Sequence, residues 1–236
     1  MGGPRASQIL EVKIGLARGA VGEVYRRFWE RPDAARLFLE LQLRTYDLAR
    51  ASIPLMEAAL AQCEARARGD AVAAGLTGFL RRHIEEERHH PEWLLEDLEH
   101  LGTTRDQVLA RPPALTAARV VGAQYYWIFH DHPIALVGYM AALEGGVASE
   151  GVLEDFITRT GLRREGFRTL LLHARVDPQH EADLDDLVDR LPLTPRHAAA
   201  IGTSAVSTIS SLAMLTREVL DHEDERIVAG TELSRP

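Results

Sequence analysis

His173-Ala-Arg-Val-Asp177-Pro-Gln-His180 is the stretch that decides the fold, because it sets two imidazoles and a carboxylate at positions i, i+4 and i+7. On a helix turning about 100° per residue, these side chains fall within about 60° of one another and address one spot. Such a donor set suits a non-haem Fe(II) centre with open positions, although zinc accepts the same ligand types. Ten histidines in 236 residues sometimes reach helical spacing by chance. Alone, the stretch leaves a metal site and a solvated helix face both open.

A second cluster upstream weighs against chance: Arg82-His83-Ile84-Glu85-Glu86-Glu87-Arg88-His89-His90, followed by Pro91-Glu92-Trp93-Leu94-Leu95-Glu96-Asp97-Leu98. Glu87 and His90 form an acid-x-x-His pair, as do Asp177 and His180, and residues three apart on a helix are neighbours. His83 joins that face seven residues before His90. Glu86 flanks Glu87 and competes with it for the same role after a modest helix rotation. Glu85, Arg88 and His89 read as solvated surface.

The third element is the apolar run Pro133 to Leu143, preceded by Tyr125-Tyr126-Trp127-Ile128-Phe129-His130-Asp131-His132 and ending in Glu144-Gly145-Gly146. Pro133 suits a helix start, and about eleven residues are too few to span a bilayer, so a buried core helix is expected. Glu144 closes it. An ionised carboxylate out of water costs several kcal/mol unless it is paired or bound to a cation, which makes Glu144 a candidate ligand. An exposed C-terminal turn is the rival reading.

Composition narrows the class. The chain has 46% hydrophobic residues and no linker-like tract, so one domain over 1–236 is expected, with extended ends near 1–6 and 229–236. Its single cysteine, Cys63, precludes an internal disulfide, and no secretory leader is evident, so a reducing cytoplasm is the expected compartment. A net charge of −8 speaks against nucleic acid. Apolar runs of about eighteen residues are not apparent, so no membrane span is expected and the partner is a small molecule.

Helical periodicity runs almost throughout: 7–30, then 34–67 with Leu37, Phe38, Leu41, Leu48 and Leu55 inward and a kink at Pro54, then 70–101 up to Gly102. A short helix after Thr104, and helices near 116–129, 133–144, 153–160, 163–176 and 195–226, complete the set. Pro178 cannot donate a backbone hydrogen bond, so a break is expected there, with Asp177 as N-cap of a new segment towards Arg190. Tyr125, Tyr126 and Tyr139 are either core or substrate contacts. Among Arg119, Arg168 and Arg175, one turned inward would grip a carboxylate, and Arg175 is the choice. Hydroxyls of Ser204, Ser207 and Thr208 are expected to bond back to helix carbonyls. His130 and His132 brace the Glu144 helix, and His89, His100, His197 and His222 are surface residues.

Taken together, Glu87-x-x-His90, Glu144 and His173-x-x-x-Asp177-x-x-His180, with the His83-Ile-Glu-Glu-Glu87, Trp93-Leu-Leu-Glu-Asp-Leu98 and Tyr125-Tyr126 to Pro133 contexts, resemble the haem-oxygenase-like di-iron oxidases and oxygenases over about residues 20–220. The resemblance, to iron-containing redox enzymes with a thiaminase-like fold, implies an all-α bundle of about seven core helices. It also implies two Fe(II) ions per chain, O2 as co-substrate and oxidation of a small, amino-acid-derived molecule by N-oxygenation, desaturation or C–C cleavage. Carried over by position, Glu87, His90, Glu144, His173, Asp177 and His180 are the ligands, with Glu86 or His83 in reserve. Two ferrous ions against three carboxylates leave such a site near neutrality. The resemblance further implies that the 173–190 segment gains order with metal; an external electron donor and a homodimer are compatible with it. The rivals are a ferritin-like protein, for which Glu57 would have to point inward, a cofactorless enzyme of the same fold using histidine acid–base chemistry, a single-zinc hydrolase, and a helical binding protein.

Overall fold

Asp70 shows how local chemistry starts these helices: its carboxylate accepts from the amides of Val72 and Ala73 and opens helix α3 (Ala71–Glu87). The computed structural model describes residues 3–146 and 148–233, with side chains through residue 221, and among them there is helix and no strand. Before α3 come α1 (Ala6–Glu30) and α2 (Ala34–Arg66), which runs unbroken through Pro54. After it come α4 (His90–His100), α5 (Arg105–Ala110), α6 (Leu115–His130), α7 (Leu136–Glu144), α8 (Glu150–Thr160), α9 (Arg168–Arg190) and α10 (Pro195–Leu233), with 3-10 turns at Pro133–Ala135 and Arg164–Phe167. Thr104 and Gln107 form a capping box on α5, and Gly161 closes α8 at φ 67°.

The bundle is built around α10, which lies against α1, α6 and α7. Its main core joins Leu55, Leu76, Leu80, Ile128, Val137 and Ala205 from five helices. A second core, under α8 and the start of α9, is aromatic, with Phe38 and Phe167 stacked at 4.4 Å. The α7–α10 crossing depends on Gly138: a Cβ there would lie 2.0 Å from the Ile201 carbonyl oxygen, so only glycine lets the two backbones meet.

Three expectations change. The 70–101 helix is two helices, because Pro91 lacks the N–H that would bond Glu87 and its ring crowds that same carbonyl; α3 ends at Glu87 and α4 begins at His90. The described residues form ten α-helices, short α5 and α8 among them, in the expected all-α bundle. The break at Pro178 does not occur: α9 continues through it, losing one hydrogen bond and keeping His173, Asp177 and His180 in helical register. Finally, Pro195–Asp221 is long and apolar enough to cross a membrane by length and composition, with a mean hydropathy of 1.5 and 44% of the window buried in the bundle. Its serines and threonines look polar residue by residue, yet no charge stands between His197 and Thr216. The expected tail from 229 is helical to Leu233, as is the leader from Ala6, while residues 1–2 and 234–236 and the His222 side chain lie outside what is described.

Candidate metal centre

Four helix segments deliver the convergent side chains: the end of α3, the first residue of α4, the end of α7 and the middle of α9. His83, Glu87, Glu144 and His180 offer one set of donor atoms within 4.8 Å of one another; Glu87, His90 and His173 offer a second, and Glu144, His173 and Asp177 a third. Glu87 and Glu144 each belong to two sets, so both stand where a bridging carboxylate would. Every expected ligand is in this group.

The pairing is close. His90 Nδ1 lies 2.5 Å from Glu87 Oε2, His173 Nδ1 2.8 Å from Asp177 Oδ1, and His180 Nδ1 3.0 Å from Glu144 Oε2. His83 Nε2 is 3.3 Å from Glu144 Oε1, and the His90 and His173 rings meet edge to face at 4.7 Å. The turn at 88–89 therefore preserves the Glu87–His90 contact that a continuous helix would have made. His83 is 3% exposed and shares a donor set with Glu87, Glu144 and His180. Glu86 stands behind it, half out in solvent, with Oε2 3.4 Å from His83 Nδ1 and Oε1 3.8 Å from Arg82.

Electrostatics mark the place as short of positive charge. Burial works against the charged form of Glu144, but hydrogen bonds from His180 and His83 outweigh it and hold the carboxyl at about 2. The bond to Glu144 lifts His180 to about 9, so a proton occupies that pair. Burial pushes Asp177 up to about 6 against the pull of His173, and His173, despite its own burial, is raised by Asp177. Two buried carboxylate oxygens, Glu87 Oε1 and Asp177 Oδ2, have no hydrogen-bond partner. Orphan anionic oxygens among imidazoles suit cations, and three carboxylates with four histidines match two Fe(II) ions in charge and donor type. The residues present thus fit a pair of metal ions.

Beside this cluster lies a cavity of about 550 Å³, walled by α1, α2, α4, α7, α9 and α10 and mainly apolar, with Phe28, Leu48, Met56, Met140 and Leu212 among its walls. Its volume is that of a small-molecule site. Tyr139 reaches it, buried, sharing a 3.0 Å hydrogen bond with Ser52 and raised to about 12 by burial. The other three proposed substrate contacts lie elsewhere. Tyr125 stacks on Phe129 away from the cavity, Tyr126 is 63% exposed beside His130, and Arg175 is on the surface paired with Glu150. On α6 and α9 these side chains fall on faces turned from α7, a consequence of helix rotation that short apolar runs do not reveal. Arg119 is exposed, and Arg168 pairs with Glu96.

Other details depart from expectation. Ser204 donates to Gln124 and Gln124 to Thr208 across the α6–α10 contact, in place of bonding back along the helix. His132 does brace α7, accepting from Ile134 N and bonding Asp70 through Nε2. Glu57 is exposed, which removes the early inward carboxylate of a ferritin-like bundle. The sequence reading missed Arg18, Tyr25 and Gln42, all of which line the cavity. Arg18 and Tyr25 stand seven apart on one face of α1, and Gln42 interrupts the inward stripe Phe38, Leu41, Thr45, Leu48, so both carried a signal.

A family model described as iron-containing redox enzyme matches residues 83–210, more than half the chain. No curated protein matches in sequence. Among solved structures, a domain of unknown function with a heme oxygenase-like fold from Shewanella denitrificans OS217 superposes with a TM-score of 0.74 at 14% identity, covering 92% of this chain and 91% of that one. A TenA homolog from Pseudomonas syringae pv. tomato str. DC3000 gives 0.68 at 14% identity, covering 93% and 98%. Heme oxygenase-1 from the cyanobacterium Synechocystis sp. PCC6803, in complex with heme, gives 0.72 at 11% identity, covering 98% and 100%. At these identities the structural likeness shows the heme oxygenase-like fold.

Proposed function

The chain belongs to the iron-containing redox enzyme family, and from that premise we propose that it is a non-haem di-iron oxidase or oxygenase acting on a small organic molecule. His83, Glu87, Glu144 and His180 would hold one iron, and His90, His173 and Asp177 would hold the other together with Glu87 and Glu144. The observation that carries this reading is the pair of orphaned buried oxygens on Glu87 and Asp177, set among four imidazoles. When bound, a ferrous pair supplies the reduction of dioxygen.

The chain's own residues do the remainder. Glu144 accepts from His180 Nδ1 in the metal-free protein, so loading the site displaces that proton. Glu86 sits behind His83 and fixes which ring nitrogen faces Glu144. The apolar walls exclude water and leave Tyr139, tied to Ser52, as a neutral hydrogen-bonding group near the cluster. The substrate is an amino-acid-derived or fatty-acid-like molecule, oxidised by N-oxygenation, desaturation or C–C cleavage, in a reducing cytoplasm that suits Fe(II) and the free, buried Cys63 thiol.

Anaerobic Fe(II) titration of metal-free protein tests this reading. Uptake of about two irons per chain, followed by O2 consumption, is the expected result. One tightly bound metal, or none, overturns it and favours the single-zinc or cofactorless alternatives.

A further inference from the structure

Ten large hydrophobic residues are exposed among those described, and eight of them lie on α1, α6 and α10. On α1, Ile9, Val12 and Leu16 step by three and four and so form one outward stripe, with Val12 62% and Leu16 73% exposed. On α6 the exposed members are Leu115, Tyr126 and Phe129, and on α10 they are Val206 and Met214. The three helices lie side by side. Lys13 of α1 crosses Gly202 of α10, where a Cβ would meet its Nζ at 2.6 Å, and on the other flank of α10 Ser204 and Thr208 bond Gln124 of α6. Between those flanks Thr203, Val206, Ser210 and Met214 form the outer face of α10. The three stripes therefore join into one surface.

The single chain leaves α1 lightly anchored. Five of its 25 residues are buried, although helices in proteins draw most of their stability from packing an amphipathic face. Gly15 and Gly19, exposed beside Leu16, weaken it further, since glycine inside a helix is unfavourable. A Cβ at either position would meet nothing within 4 Å, so no contact in the single chain requires a glycine there. A second backbone resting on α1 does require one.

We propose that the α1–α10–α6 face binds a second copy of this chain about a two-fold axis. Charge selects that occupant. From Ile9 to Ala20, Leu115 to Phe129 and Ala199 to Met214, the exposed charges are Arg119 and Glu11, and Glu11 is turned to Asp185 on α9. A two-fold contact lays a patch on its own copy, so a charged patch would oppose like charges, whereas an uncharged one is complementary to itself. The rim carries both signs, with Glu23 and Arg26 paired on α1 and Arg217 on α10, and the net charge is −8. An anionic lipid surface would need a basic margin. Area agrees: Ala199 to Met214 spans about 22 Å along the helix, and three helices side by side span about 27 Å, an outline of about 600 Å². Side-chain relief brings the accessible area near the roughly 800 Å² per partner of a stable interface. The second copy also backs the cavity, because the inner side of α1 carries Tyr25 and Phe28 into its wall. None of the residues on this face belongs to the metal cluster, so the pairing does not depend on which metal is bound.

Sedimentation equilibrium of the full chain tests the pairing. The expected species has twice the 26.2 kDa mass of the chain, with a dissociation constant of about 10 µM or below. Leu16→Glu and Val206→Glu each bring a carboxylate into the contact twice and should weaken the dimer about a hundredfold or more. Val152→Glu, at a comparably exposed apolar residue on α8, should leave it unchanged. Gly15→Leu favours the helix and meets no neighbour in the single chain, yet should weaken the dimer about tenfold or more, which separates loss of contact from loss of folding. In the unaltered chain, amide exchange along α1 should slow about tenfold or more between about 1 and about 100 µM protein. A monomer at every concentration overturns the proposal, as does a dimer indifferent to both Leu16→Glu and Val206→Glu, or one equally weakened by Val152→Glu. A chain that stays monomeric and sediments with phosphatidylglycerol vesicles would also overturn it and give the face to lipid.

Discussion

Helices α7 and α9 bring ligands to the same cluster by opposite means. In α7, seven of nine residues are buried and Glu144 is the only charge, so packing against α10 at Gly138 fixes where its carboxylate points. In α9, six of 23 residues are buried, and His173, Asp177 and His180 sit in a polar stretch with a proline in it. Apart from Leu171, the apolar anchors Leu184, Leu187 and Val188 lie beyond the ligands, towards its C-terminus. One candidate ligand is therefore held by the core, whereas His173 and Asp177 hold each other and His180 is held by Glu144 across the cluster. A rigid wall facing a weakly anchored one is the arrangement in which metal binding and local folding share their free energy.

Removing a ligand from each helix should separate the two cases most sharply. Glu144→Ala takes a carboxylate from two of the three donor sets, so both irons are expected to be lost in anaerobic titration. His173→Ala or Asp177→Ala should cost one iron and spare the other, and His89→Ala, on the exposed turn before α4, should cost none. If Glu144→Ala also lost only one iron, Glu144 would not bridge and the sharing of ligands between helices would be wrong.

Dynamics give the next largest effect. On adding Fe(II), amide exchange through residues 173–183 should slow by about a hundredfold at saturating metal, while exchange in α7 stays as it was. Pro178→Ala restores the hydrogen bond to the Ala174 carbonyl, worth about 1–3 kcal/mol of helix stability, and should shrink the metal-dependent difference by protecting α9 beforehand. Equal protection of α7 and α9 by metal would remove the contrast.

The same contrast explains what could be read from the sequence. Glu144 was legible because an apolar run too short to span a bilayer reads as a buried helix, and a carboxylate at its end, unless in an exposed turn, needs a partner or a cation. The acid-x-x-His pairs were legible because neighbours three apart stay close even where Pro91 splits the helix between them. Continuity of α9 through Pro178 was not, since local propensity disfavours it and tertiary contacts at both ends override that preference. The cavity side chains were least visible: Arg18 and Gln42 come from α1 and α2, far in sequence from the metal-centre candidates, and the local signal each carries does not say what space it faces. Arg175, chosen among Arg119, Arg168 and Arg175, stands two residues after His173 and so points to the opposite side of the helix.

The smallest expected effect tests the anchored end of α9. There Asp189 is well satisfied, accepting from Ser7 N and Oγ at 2.9 Å each and pairing with Arg5 at 3.1 Å, which fastens the start of α1. One turn earlier Asp185 faces Glu11 across the same seam, and burial, helped by Glu11, raises it from 3.8 to about 6. A carboxyl whose folded pKa lies above its unfolded value contributes stability that is full below the unfolded value and lost as pH rises through the folded one. The loss therefore falls between about pH 4 and 6, and at neutral pH the α1–α9 seam carries an unrelieved repulsion, softened by solvent because Asp185 is only partly buried. Asp185→Asn should raise the metal-free melting temperature at pH 7 by about one or two degrees and make no difference at pH 4. Because Asn cannot ionise, the melting-temperature gap between the two proteins isolates this group from the oppositely shifted Glu144. A gap that stayed constant from pH 4 to 7 would mean that the seam does not oppose α9, and that the ligand-bearing half alone accounts for its weakness.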